Sequence, residues 1–125
     1  MPDYDRTFHP PAPVLAVSLA HPTTGARSAP IRAKLDTGAD VTVIPDAVVL
    51  ELGLSPKGHL WARSFDGSYT RRPLYYAAMR AEGIELPAVR CIAAARDTAL
   101  LGRNVLNRFL ITLDGKNLTF TVKDT

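Results

Sequence analysis

The chain has 125 residues, a formal net charge of +3, 46% apolar residues and a single cysteine, Cys91. This length fits one domain with a modest core, the apolar content excludes a wholly disordered chain, and one cysteine excludes an internal disulfide framework. The basic residues are dispersed, so they read as solvated surface and no nucleic-acid partner is expected. No run approaches the roughly 18 apolar residues of a membrane helix, and no membrane partner is expected. Met1 to Pro13 is polar and proline-rich, unlike a signal peptide, so a soluble, cytoplasmic protein is the expectation.

Residues 1–13 read as an N-terminal arm without regular structure, because Pro2, Pro10, Pro11 and Pro13 oppose helix and strand pairing. The rest, 14–125, reads as one domain. Val14 to Leu19 alternates as a strand with Leu15, Val17 and Leu19 on one face. His21 to Pro30 is a turn-rich connection. Ile31 to Leu35 is the returning strand and runs straight into Asp36-Thr37-Gly38-Ala39-Asp40. Val41 to Ile44 is β-branched and strand-like. Pro45 ends it, Asp46 is placed to cap a short helix to Leu52, and Gly53 to terminate it. Leu60 to Phe65 and Tyr69 to Leu74 flank Asp66-Gly67-Ser68 as a hairpin. Tyr75 to Arg80 and Leu86 to Ala94 are further strands around Glu82-Gly83. Asn104 to Phe109 is a short helix, and Leu110 to Leu113 with Leu118 to Val122 make a last hairpin. Many short strands with two short helices imply an all-β barrel or sandwich.

The chemistry is concentrated at Asp36-Thr37-Gly38. An apolar strand delivers a carboxylate into a turn, Gly38 lets the backbone bend and another chain approach, and Thr37 offers a small hydroxyl. The triplet alone reads more readily as a plain turn. Cys91 sits in an apolar run and reads as a buried small hydrophobe. His9, His21 and His59 are scattered in loop-like contexts and suggest neither catalysis nor a metal site.

Three features in order give the triplet meaning. Leu35-Asp36-Thr37-Gly38-Ala39-Asp40 comes first, the Asp66-Gly67 hairpin second, and Leu100-Leu101-Gly102-Arg103-Asn104 leading into a helix third. In this combination, over Val14 to Val122, the sequence resembles the retropepsin family of aspartic proteases. The resemblance implies a closed acid-protease barrel with a flap hairpin and one or two short helices, assembled as a homodimer acting on a protein or peptide substrate, with no cofactor and no metal. It implies catalytic roles for Asp36, Thr37 and Gly38, with Thr37 bonding across the dimer axis. It implies substrate contacts for Ala39, Asp40, Arg103 and the flap residues Phe65, Asp66, Gly67 and Ser68, with Asp40 and Arg103 forming an ion pair. Asn104 then braces the helix. Asp97-Thr98 is followed by Ala99, not glycine, so the second catalytic aspartate comes from a second copy. The strand Asn117 to Lys123 is the expected interface element. The flap departs from the family pattern, having one glycine and more charge. That leaves a second reading open: a catalytically weak peptide-binding or dimerisation module on the same fold.

Overall fold

The computed structural model describes residues 2–64 and 66–124. Phe65 of the expected flap lies outside the described residues. Strand β1 (Val14–Ala20) buries Leu15, Val17 and Leu19 on one face, as its alternation requires. It pairs antiparallel with β2 (Ile31–Leu35), which buries Ala33 and Leu35. Strand β3 (Thr42–Pro45) leads into helix α1 (Asp46–Leu52), which packs Val48, Val49 and Leu52 into the core. After the hairpin of β4 (His59–Arg63) and β5 (Tyr69–Pro73) come β6 (Tyr75–Ala81) and β7 (Ile84–Ala94). The β6–β7 turn has positive φ at both Glu82 (51°) and Gly83 (74°), the backbone a two-residue hairpin loop demands. Strand β8 (Ala99–Leu101) and helix α2 (Arg103–Leu106) follow, then the hairpin of β9 (Leu110–Asp114) and β10 (Thr119–Lys123).

Six strands close a barrel in the order β1-β2-β8-β3-β7-β6. Strand β8 is parallel to β2 and antiparallel to β3, so it lies between two strands that are neighbours in sequence. The turn 36–40 therefore has to arch across the end of β8. Among the described residues, no helix is long and apolar enough to cross a membrane.

Four details differ from the sequence reading. Asp46 is not the helix cap; Pro45 holds that position without a side-chain bond, and Asp46 sits in the first turn, where its charge favours the helix dipole. Strand β8 is absent from that reading because three residues carry no readable period. Helix α2 is four residues long, continued to Phe109 only by turn-type bonds such as Phe109 N to Leu106 O. The fourth is the arm, taken up below. Gly53, by contrast, does terminate α1, at φ 67°, ψ 34°.

The arm is more ordered than its prolines suggest. Its non-proline residues still have donors, and these pair. Tyr4 N donates to Leu118 O (2.7 Å), Phe120 N donates to Pro2 O (3.0 Å), and Asp5 and Ala12 exchange a pair of bonds. The arm thus lies along the free side of β10. The Tyr4 ring sits 6.0 Å from that of Phe120, which is fully buried. Phe8 lies under the cationic ends of Arg32 and Lys34, at 5.5 and 5.3 Å. Phe120→Ala is expected to lower unfolding free energy by about 3–5 kcal/mol in urea titration. A decrease below about 1 kcal/mol would show that β10 is not docked on the barrel core.

Candidate active site

Asp36 is the first residue beyond β2, and its N–H donates to Leu101 O (3.0 Å), extending the β2–β8 ladder by one step. The chain then turns, with Ala39 N donating to Asp36 O (3.2 Å). The carboxylate folds back over this turn: Oδ1 accepts from Gly38 N at 3.0 Å. A Cβ on residue 38 would stand 3.3 Å from that same oxygen, so glycine leaves the carboxylate its room. Asp36 is half-buried, whereas Thr37, Gly38 and Asp40 are exposed. Among the described residues, the Thr37 hydroxyl makes no hydrogen bond within the chain.

Arg103 ties the turn down at three points. Its backbone N–H donates to Ala39 O (2.8 Å), Nη1 donates to Thr37 O (2.7 Å), and Nη2 pairs with Asp40 Oδ1. The side chains of Arg103 and Asp40 are 45% and 86% exposed, so the ion pair is worth at most about 1 kcal/mol. Its effect in the single chain is to orient the turn.

Beneath the turn is a buried polar knot centred on Thr42, a residue that the sequence reading does not single out. Thr42 has no exposed surface. Its hydroxyl accepts from Gly102 N (3.1 Å) and donates to Asn104 Oδ1 (2.9 Å). The same Asn104 oxygen accepts from Thr42 N (3.1 Å), and Asn104 Nδ2 donates to Arg90 O (2.8 Å). Asn104 therefore braces the start of α2 against β3 and β7. Gly102 has no alternative: a Cβ there would stand 2.6 Å from the Val41 carbonyl carbon and 2.8 Å from its oxygen. The readable signal for Thr42 is a hydroxyl among β-branched apolar residues.

Asp36, Thr37, Gly38, Ala39, Asp40 and Arg103 are thus gathered into one structure. The flap tip is a separate unit. Asp66 Oδ1 accepts from Ser68 N (2.9 Å) and Ser68 Oγ (2.6 Å), which holds its carboxyl below the usual range. Gly67 supplies φ 85°. No hydrogen bond among the described residues joins this tip to the turn 36–40. Two clefts of about 390 and 160 Å³ open elsewhere, and Asp36 lines neither.

Cys91 is buried and desolvation pushes its thiol up to about 12, so it stays protonated and non-nucleophilic near neutrality. Among the described residues, no three His, Cys, Asp or Glu side chains converge as a metal site would need.

The family model described as "gag-polyprotein putative aspartyl protease" matches residues 25–108, which contain the Asp36 turn, the flap hairpin and α2. The chain belongs to this retropepsin-like family. Solved structures agree at the level of fold. A retropepsin-like aspartic protease from Rickettsia conorii superposes with a TM-score of 0.58 at 18% identity, covering 86% of this chain and 81% of that one. EIAV protease, complexed with the inhibitor HBY-793, gives 0.57 at 22% identity, covering 77% and 86%. Simian foamy virus (mac) protease gives 0.56 at 19%, covering 75% and 91%. No curated protein matches the sequence.

Within this retropepsin-like chain, Thr42→Val keeps the shape but orphans the Gly102 N–H and removes a donor from Asn104. The expected cost is about 1–3 kcal/mol by chemical denaturation. A neutral substitution would mean that the knot does not support the turn.

Proposed function

We propose that the chain is an aspartic endopeptidase that acts as a homodimer, with water activated between Asp36 and Asp36 of a second copy. One observation carries the reading. In a chain of the aspartyl protease family, Asp36 is held half-buried at the mouth of the barrel with one oxygen fixed by Gly38 N–H. Another Asp-Thr in the sequence, Asp97-Thr98, has a carboxylate that accepts from its own Thr98 hydroxyl (3.1 Å), and it leads into β8 with Ala99 where a glycine would be needed. One chain therefore supplies half a site.

Two carboxylates about 4 Å apart repel by roughly 4 kcal/mol at an effective dielectric near 20. At about 1.4 kcal/mol per unit, this separates the two titrations by around 3 units. That is the known behaviour of aspartic-protease pairs, which hold one proton between them over a wide range. The charged member takes a proton from the water and the protonated member donates to the peptide carbonyl. Water attacks directly, without an acyl-enzyme. Thr37 is offered for a bond across the axis, and Ala39, Asp40, Arg103 and the flap tip 65–68 for an extended peptide.

The dimer seam is assigned to β9 instead of Asn117–Lys123. Strand β10 has β9 on one side and the chain's own residues 2–4 on the other, whereas β9 pairs only with β10 among the described residues. Leu113 lies opposite the buried Phe120 and so on the core-facing side, yet it is 51% exposed at the outer edge. A two-fold axis normal to the sheet pairs an edge strand antiparallel with its own copy. Centred on Thr112, that pairing sets Ile111 against Leu113 of the second copy, twice, and covers both.

Wild type is expected to cleave a denatured protein with a rate that falls faster than linearly on dilution, since half a site does nothing. Asp36→Asn should lower that rate by about 10²- to 10⁴-fold or more. Equal cleavage by the variant overturns the catalytic assignment; a folded dimer with no cleavage at any pH favours the peptide-binding module. Thr112→Cys is expected to form an intermolecular disulfide, because residues directly opposite have Cβ atoms about 4.5–5.5 Å apart, a span whose near end meets the roughly 3.5–4.5 Å of a disulfide. Cross-linking by Thr121→Cys instead would move the seam to β10.

A further inference from the structure

The flap hairpin has two unlike faces. Leu60 and Ala62 are half-buried, and Arg72 reaches the Ala93 carbonyl of β7, so the face carrying these residues is turned to the barrel. The other face is turned away. There Trp61 stands opposite Arg71 and Tyr69 opposite Arg63, with His59 opposite Pro73 at the base. Trp61 and Tyr69 are therefore diagonal neighbours, and so are the two arginines. The result is a four-square pattern in which aromatic and guanidinium groups alternate in both directions.

The rings are open. Trp61 is 66% and Tyr69 60% exposed, among the largest apolar exposures in the chain. The cations do not cover them. Among the described residues the cation–ring contacts are those of Phe8 with Arg32 and Lys34. Arg71 donates to His59 Nδ1 (3.3 Å), and the Arg63 side chain makes no ion pair or hydrogen bond among the described residues. Neither strand of the hairpin carries an acidic residue. Asp66, the acid of the tip, is engaged by Ser68.

We propose that this outward face of β4–β5 binds single-stranded nucleic acid, with bases stacked on Trp61 and Tyr69 and phosphates paired with Arg63 and Arg71. An unpaired strand offers both kinds of group in alternation, on a flat surface that reads neither sequence nor groove. An acidic peptide satisfies the arginines but leaves two aromatic faces with no partner of their own. A duplex presents phosphates while its base faces stay stacked. This surface is not legible in the sequence, because the basic residues are dispersed along the chain and only hairpin register assembles these four. The surface is independent of the peptidase reading, since it faces away from the barrel.

Trp61 is the one tryptophan of the chain, so its fluorescence reports this face alone. The full chain is titrated at low salt with an oligodeoxythymidine of about 12 nucleotides, within the range such surfaces occupy. Saturable quenching is expected, with affinity falling as salt rises. Tyr69→Ala should weaken binding roughly 5- to 150-fold, the range for removal of one stacking platform. The double variant Arg63→Ala/Arg71→Ala should reduce the slope of log affinity against log salt by about 1.4, or about 0.7 for each phosphate no longer neutralised. Unmoved fluorescence overturns the proposal. So does equal affinity in these variants, which would put binding elsewhere on the basic surface. Quenching by poly-glutamate as strong as by the oligonucleotide overturns it in favour of an acidic polypeptide. The four side chains lie outside the core, and unchanged circular dichroism keeps a folding defect from being read as weakened binding.

Discussion

The hydroxyl of Thr42 sits where three parts of the molecule have to meet. It accepts from Gly102 and donates to Asn104, while Asn104 reaches on to Arg90 of β7. A buried hydroxyl left unpaired is costly, and so is a buried N–H. Each of these groups satisfies the others, so the start of α2 cannot shift against β3 without breaking several bonds together. Arg103 follows directly and grips the turn 36–40 from the far side. The position of the Asp36 carboxylate is in this sense an outcome of interior hydrogen bonding, although the turn itself is largely exposed.

The placement of β8 makes this arrangement possible. Because β8 is inserted between β2 and β3, the chain leaving β2 has to arch over the end of β8 before it can descend into β3. Leu101 O meets Asp36 N at the rising side of the arch, and Gly102 passes close under Val41 at the descending side. A backbone approach of that kind excludes any side chain at 102. The turn, the glycine and the following helix are thus one construction, and their joint presence in the sequence has a mechanical cause.

The two hairpins outside the barrel are less constrained, and each has a two-sided character that follows from its register. The β9–β10 hairpin places Phe120 in the core while Leu113, on the same side, is left half-exposed at the rim. The β4–β5 hairpin turns Leu60, Ala62 and Arg72 inward and shows solvent an aromatic and cationic face. Alternation along a strand decides the face, and position in the sheet decides whether a residue on that face is covered.

The sequence by itself determined the all-β class, most strand positions, the Gly53 stop of α1 and the grouping of Asp36, Asp40 and Arg103, because these depend on local periodicity, turn chemistry and a motif carried in order along the chain. It could not disclose β8, whose three residues have no period of their own and become a strand only between β2 and β3. Nor could it disclose that the arm lies along β10, since prolines argue against pairing and only a waiting strand edge reverses that preference. Thr42 reads as one more β-branched residue until burial makes its hydroxyl a hub. The alternation of Trp61, Arg63, Tyr69 and Arg71 was likewise decided by the structure: the hairpin is legible in the sequence, but these residues become neighbours only through the register that one strand imposes on the other.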